Sequence, residues 1–425
     1  MTIPELYNLF KKHHSVQTDT RKLKQGDLFF ALKGPNFNGN QFAVQALMEG
    51  ASFVIVDEEV GSSDPRIIRF DDVLLTLQEL AKYHREQFQI PIIAITGSNG
   101  KTTSKELIAA VLSSHFKTYT TVGNLNNHIG VPLTLLSIGK DAEMAVIEMG
   151  ANHQKEIESY CRYTEPTHGL ITNCGKAHLE GFGGIEGVRK GKGELYDFLS
   201  THNGTAFVYA DYDYLQNMSA KVPHIVKYGQ SEGTIQGKVL SNEPFLEVAI
   251  TAGISPVTIR TQLVGDYNLP NILSAVLIGK YFKVPEEKII ASIEAYTPSN
   301  SRSQLLKKGS NTFILDAYNA NPTSMRAAIE NFANIHSSHK ILLLGGMMEL
   351  GKDSIEEHTA LIELIRKYQW GQVILVGGDF GKIAHTYQFF NNATEAAEWF
   401  NSQRFENTYF LIKGSRSMQM EKILG

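Results

Sequence analysis

The sequence predicts an α/β protein of three domains, and three observations predict it. The chain has 425 residues, 42% of them hydrophobic, which is too long for one ordinary core and apolar enough to fill two or three. Short continuous apolar runs alternate with stretches of helical periodicity along most of the length, the rhythm of strand–helix–strand units around parallel sheets. One of those runs leads directly into a glycine-rich turn and then a helical pattern, the junction around which doubly wound sheets build their binding crevices.

The first domain is expected over residues 1–89. LFFAL at 28–32 and FVIVD at 53–57 read as buried strands. Between them FAVQALMEGA has helical spacing and stops at Gly50, as helices often do. The helical stretch VLLTLQELAKYHREQF closes the unit. The second domain, 90–298, opens with IPIIAIT, a run suited to a central parallel strand. KELIAAVLSSHF follows as a helix, and MAVIEMG, HGLITN, GTAFVYA and HIVKYG repeat the strand-then-helix rhythm. Short alternating stretches from Ile235 to Val264 predict an antiparallel edge or flap. The third domain, 299–425, has four strand-like runs, NTFILDAY, KILLLGG, GQVILVGG and NTYFLIKG, separated by helical patterns, and reads as Rossmann-like.

Charge narrows the function. Forty Lys and Arg against 44 Asp and Glu give a formal net charge of −4, which argues against the broad cationic face of a nucleic-acid binder. An anionic ligand must be held by a few local cations and backbone amides. Cys161 and Cys174 form no metal motif and are expected to be reduced thiols. No run approaches the ~20 apolar residues of a membrane span. The segment MTIPELYNLFKKHH lacks the apolar core of an export signal. A soluble, cytoplasmic protein is expected.

The strongest local motif is TGSNGKTT at 96–103. A strand running into Gly97, Ser98, Asn99 and Gly100 and then a helix aims backbone N–H groups and the positive helix end at phosphate oxygens. Lys101 neutralises the outer phosphates, the Thr102 hydroxyl ligates Mg²⁺, and Thr103 completes the nucleotide-binding motif. Ile95 stands where the general pattern has its first glycine. Kinases, transport ATPases and ligases all use such a loop, so it does not name a reaction. Glu148 ends a strand on the side where parallel sheets bind ligands, and a carboxylate there suits Mg²⁺. His178 also follows a strand. Lys190 and Lys192, in GVRKGKGELYDFL, read from spacing alone as a solvated basic face.

TGSNGKTT, VIEMGAN, NCGKAHLEGFG, KGKGE, YNLPNILSA, LDAYNANPTSM and KGSRSMQME, in this order over essentially the whole chain, resemble the Mur ligases. The resemblance implies a small α/β UDP-binding domain, a central P-loop ATPase domain with a mostly parallel sheet, and a C-terminal Rossmann-like domain. HLEGFG, YNANPTSM, MMELG and KGSRSM point within the family to ATP-dependent joining of D-alanyl-D-alanine to a UDP-N-acetylmuramoyl-tripeptide, by a monomer. By the same resemblance Thr18, Asp19, Thr20, Arg21, Asn38 and Gly39 meet the nucleotide sugar. Glu148, His178 and Thr102 are metal ligands, and Lys192 is a carbamylated lysine completing that set. Asn268 and Asn271 lie near the adenine, Asp316 meets the ribose or nucleotide, and Arg302 reaches the ATP phosphates. Tyr318, Asn319, Asn321, Lys413, Ser415 and Arg416 face the reacting substrates.

Overall fold

The computed structural model describes every residue except His14, Asn300 and Ser338. Its strands fall into three main sheets, which follow one another along the chain. The first sheet is four-stranded and parallel, with Leu28–Phe30 and Phe53–Val56 at its centre and the short strands Val16–Gln17 and Ile67–Arg69 at its edges. The helix Val73–Arg85 leads out of it, its start capped by the Asp72 carboxylate on the Leu75 amide at 2.8 Å. Near its end, Arg85 donates to the Thr164 carbonyl at 2.9 Å and the Glu165 carbonyl at 3.0 Å. That bidentate grip ties the helix to the second sheet's helical layer.

The second sheet has nine strands. Ile92–Thr96 is third from one edge, with His168–Ile171 on one side and Met144–Glu148 on the other. All five residues of Ile92–Thr96 and of Met144–Glu148 are buried, which explains their unbroken apolar character. The strand order reverses at Ile92–Thr96, so a crevice opens at the carboxyl ends of these three strands. The predicted antiparallel edge is present as Ile235–Ser241, Glu247–Ala252 and Val257–Arg260.

The third sheet contains the four predicted runs, as Asn311–Asp316, Lys340–Gly345, Gln372–Val376 and Tyr409–Lys413, all buried in the main and parallel to one another. It has two further strands at its edges, Gln304–Lys308 and Gln388–Phe390. Their residues are partly or fully exposed, so no apolar run announces them. Asp316 and Lys413 end adjacent parallel strands in direct register, at the edge facing the second sheet's crevice. Among the described residues no helix is long and apolar enough to cross a membrane. Cys161 and Cys174 are buried free thiols.

Candidate active site

The turn after Ile92–Thr96 can be made only with glycines where glycines stand. Gly97 has φ +145° and Gly100 φ +79°, conformations that side chains rarely adopt. A Cβ at Gly97 would lie 2.0 Å from the Thr172 hydroxyl, and one at Gly100 2.6 Å from the Asn271 amide oxygen. The turn's own polar groups are tied to the next strand's exit. The Ser98 amide donates to the Asn173 carbonyl at 2.8 Å, and the Asn99 amide to Asn173 Oδ1 at 3.1 Å. Thr172 Oγ1 and Asn173 Nδ2 both donate to the Asn99 carbonyl, at 2.6 and 3.0 Å. A fixed loop at the start of helix Lys101–Ser113 is thereby held open toward the crevice. Lys101 Nζ folds back on the Gly97 carbonyl at 2.6 Å, and burial pulls its ammonium below the usual lysine range.

Glu148 is 1% exposed. Its Oε1 accepts from the Thr102 hydroxyl at 3.1 Å and the Asn126 amide at 2.8 Å, while its Oε2 is buried with no hydrogen-bond partner among the described residues. An anionic oxygen stranded in a cavity wall costs on the order of several kcal/mol. A hydroxyl beside a bare carboxylate oxygen is the donor set that a hard divalent cation takes.

The structure does not gather the rest of the expected metal set as tightly. His178, in a left-handed backbone at φ +53°, turns Nδ1 to the carboxylate of Glu349, which that contact holds below the usual carboxylate range. Lys192 lies on helix Ile185–Thr201, 1% exposed, with Nζ donating to the Ala151 carbonyl at 3.0 Å. Burial first, and the Lys101 charge second, push its amine down to about 7. Lys190, two residues earlier, is exposed and is the ordinary solvated lysine that spacing suggested for both. Glu148, His178 and Ala151 line the cavity; Lys192 stands one residue behind, through Ala151.

That cavity, of about 800 Å³, lies between the second and third sheets' domains. On its second-domain side Asn271 Nδ2 donates to Asn268 Oδ1 at 2.8 Å, and Ser104 donates to Asn271 Oδ1 at 3.0 Å, so these amides brace helix Leu269–Tyr281 against the phosphate-loop helix. Thr103 also lines the space. On the third-domain side Lys413 and Asp316 pair at 2.5 Å, and Asp316 Oδ1 also accepts from the Ser303 amide at 3.0 Å. The Arg302 guanidinium stacks 3.6 Å from the centre of the Tyr318 ring, with Arg416 at 5.8 Å from the same ring. Arg302, Asp316, Tyr318, Asn319, Asn321 and Lys413 line the cavity. Ser415 is buried beside it, accepting from the Met348 amide at 2.9 Å, and Arg416 is largely exposed and paired with Glu421.

The first-domain residues form a separate surface. Asp19 caps the turn Thr20–Lys22 and pairs with Arg21 at 2.8 Å. Asn38 donates to Glu58 at 2.8 Å, and Gly39 packs where a Cβ would meet the Leu32 carbonyl at 2.6 Å. Neither they nor Thr18 lines the cavity. Sequence reasoning passed over Asn126, Asn173 and Thr323, which line the cavity, and left Glu349, which also lines it, without a role.

A phosphate loop at a topological switch point, facing cationic and acidic groups of a further α/β domain, defines a nucleotide-dependent enzyme of the phosphoryl-transfer class. The chain belongs to the Mur ligase family. The Mur ligase middle domain matches residues 95–279, the Mur ligase glutamate ligase domain 301–416, and the Mur ligase family catalytic domain 12–85. It is similar to the UDP-N-acetylmuramoyl-tripeptide–D-alanyl-D-alanine ligase of Bacillus subtilis, 33% identical over 97% of this chain and 92% of that protein. The enzyme of that name from Escherichia coli is 34% identical over 96% and 92%. Among solved structures, a MurF crystal structure from Acinetobacter baumannii has TM-score 0.88 at 31% identity, covering 96% of this chain and 92% of that one. The MurF ligase of Thermotoga maritima in complex with ADP has TM-score 0.87 at 25% identity, covering 97% and 96%.

Proposed function

We propose that the chain is an ATP-dependent ligase that joins the amino group of D-alanyl-D-alanine to the terminal carboxylate of UDP-N-acetylmuramoyl-tripeptide. The product is the UDP-muramoyl-pentapeptide of peptidoglycan synthesis, with release of ADP and phosphate. The observation that carries this reading is the single cavity shared by the phosphate loop, the stranded Glu148 oxygen and the cations of the third domain. Relatives named for this activity match the chain nearly end to end. The enzyme works in the cytoplasm, where ATP and UDP-linked precursors are available.

A carboxylate is a poor acyl donor, because its leaving group would be oxide. Its oxygen attacks the γ-phosphorus, the bond to the bridging β–γ oxygen breaks, ADP leaves, and an acyl phosphate forms. The dipeptide amine then adds to the acyl carbon, loses its proton, and the tetrahedral intermediate expels phosphate. The chain contributes positioning and charge neutralisation. The amides of Gly97 and Gly100, with those of Thr102 and Thr103 at the helix start, hold phosphate oxygens, while the Ser98 and Asn99 amides, bonded to Asn173, fix the shape of the loop. Lys101 turns from the Gly97 carbonyl to the phosphates, and Arg302 and Lys413 offset charge from the third-domain side. Asn268 and Asn271 set the wall near the adenine, and Asp316 meets the ribose or nucleotide. Tyr318, Asn319, Asn321, Ser415 and Arg416 shape the side where the dipeptide enters. Thr18, Asp19, Thr20, Arg21, Asn38 and Gly39 hold the UDP-sugar.

Thr102 and Glu148, with His178 and a carbamate on Lys192, would hold Mg²⁺, which when bound supplies Lewis-acid stabilisation of phosphoryl oxygens. The burial of Lys192 supports the carbamate, because only the neutral amine adds CO₂. A nitrogen–carbon bond forms, a proton leaves, and a cation becomes an oxygen donor.

Phosphate release from purified chain with ATP tests the proposal. It should require the UDP-tripeptide and the dipeptide together. Equal turnover with a single amino acid in place of the dipeptide, or turnover with neither acceptor present, would overturn it.

A further inference from the structure

The segment 172–180, immediately after the strand His168–Ile171, is bonded on two sides to two different bodies. On one side it holds the phosphate loop: Thr172 and Asn173 take both backbone groups of Asn99, the Asn173 carbonyl takes the Ser98 amide, and the Gly175 carbonyl takes the Ser98 hydroxyl at 2.8 Å. On the other side the third domain holds it at three points. The Lys176 amide donates to the Thr323 hydroxyl at 2.9 Å, and the Lys176 ammonium pairs with Glu357 at 2.5 Å. Glu349 contacts the His178 ring with its side chain, and its carbonyl accepts from the Glu180 amide at 3.3 Å. His178 and Glu349 face each other in left-handed backbones, φ +53° and +62°. Such strain in non-glycine residues costs on the order of 1–3 kcal/mol each and persists where surrounding structure enforces it.

We propose that segment 172–180 is the strap through which occupancy of the phosphate loop sets the docking of the third domain, with Thr323 and Glu349 as the positioning residues that grip it. A nucleotide on residues 97–100 loads the loop whose backbone the strap already holds. The loaded strap presents the Lys176 amide and His178 to the third domain. This gives the glutamate of the MMELG motif a role in closure. The proposal rests on the ligase reading for its purpose, because docking encloses an acyl phosphate that water would destroy. Its energetics do not depend on that chemistry. Linkage requires that if nucleotide favours docking by some factor, docking favours nucleotide binding by the same factor, so loss of the grip weakens nucleotide binding by up to that factor.

The test uses the full-length chain, ADP with Mg²⁺ as the probe, calorimetry for affinity and small-angle scattering for docking. Thr323→Val removes the hydroxyl without changing size, and Glu349→Ala removes the carboxylate. Each is expected to weaken ADP by about fivefold or more and to reduce the compaction that ADP induces. Glu349→Gln, which keeps an acceptor oxygen, should recover most of both. A folding defect would show as a lowered melting temperature without nucleotide, and Glu349→Gln then decides alone through its recovery of ADP affinity and compaction relative to Glu349→Ala. ADP affinity within twofold of the native chain, with compaction intact, in both Thr323→Val and Glu349→Ala would overturn the strap, as would failure of Glu349→Gln to recover. Failure of the ligase reading looks different: the native chain would compact on ADP yet release no phosphate with both acceptor substrates.

Discussion

Asn99 in the phosphate loop and Asn321 at the head of the third-domain helix Pro322–Ala333 meet amide to amide. Asn321 Nδ2 donates to Asn99 Oδ1 at 2.7 Å, and Asn99 Nδ2 lies 3.5 Å from Asn321 Oδ1. The backbone of Asn99 is fully occupied by Thr172 and Asn173, so its side chain alone is free to reach across. The Asn321 side chain also caps its helix by accepting from the Ser324 amide at 2.9 Å. One residue therefore starts a helix and bridges two domains.

Replacing Asn321 with Asp separates those roles, because the carboxylate still caps the helix but has no N–H to give Asn99. We expect Asn321→Asp to keep its melting temperature within a few degrees and to lose about tenfold in kcat, the equivalent of roughly 1.4 kcal/mol. Asn321→Ala should lose both, with about 1 kcal/mol from the missing cap. Thermal melts and steady-state kinetics on the two variants check this. Equal kcat in Asn321→Asp and the native chain would remove the bridge from the account.

Glu148→Gln keeps an acceptor for Thr102 and Asn126 and replaces the stranded oxygen with a neutral amide. Activity should fall by about a hundredfold or more, because the charge offered to a cation is gone. Stability should hold or rise, since the amide no longer buries a bare anion. Calorimetric titration of Mg²⁺ in the presence of ADP gives a second readout, in which the native chain should bind more tightly than the variant.

For Lys192, the carbamate reading predicts that Lys192→Ala abolishes turnover and that a small carboxylic acid added to the variant restores part of it. The added carboxylate supplies the oxygen donor that the missing side chain would have carried. Near-normal turnover in Lys192→Ala would exclude a carbamate role.

His168 gives a prediction for stability against pH. Its ring packs against Phe207, Tyr281 and Phe282, and burial pushes its imidazole from 6.5 down to about 4. Between those values the unfolded chain binds the proton and the folded chain does not, so folding stability falls as pH drops from 6.5 toward 4. The contribution is at most about 2 kcal/mol once solvent access to the ring is allowed for. Denaturant unfolding of the native chain and His168→Phe at pH 7, 5.5 and 4.5 should show the two diverging as acid is added, with the variant the less sensitive. Parallel curves would contradict the assignment.

The phosphate loop was legible because its chemistry is local: Gly97, Gly100, Lys101 and Thr102 follow one another between a buried strand and a helix. Most of the strands were legible for the same reason, as their burial on both faces leaves continuous apolar runs. The edge strands Thr118–Thr120, Gln304–Lys308 and Gln388–Phe390 were not, because residues open to solvent leave no such run. Asn126, Thr323 and Glu349 reach the site only through the fold; Asn126 meets a carboxylate 22 residues further along the chain. Spacing alone misread Lys192 as solvated, yet a sharper reading was available. Val188, Lys192, Leu195 and Leu199 fall at helical spacing and are all buried, so the lysine stands in an apolar stripe where no ordinary surface lysine belongs.

The central claim is that the tripeptide's carboxylate oxygen passes through phosphorus. Tripeptide substrate with its terminal carboxylate labelled with ¹⁸O, turned over with ATP and D-alanyl-D-alanine, tests it directly by mass spectrometry of the released phosphate. Transfer of one labelled oxygen into each phosphate, with the other kept in the new peptide bond, is the predicted result. Phosphate free of label alongside formed pentapeptide would contradict the acyl-phosphate route.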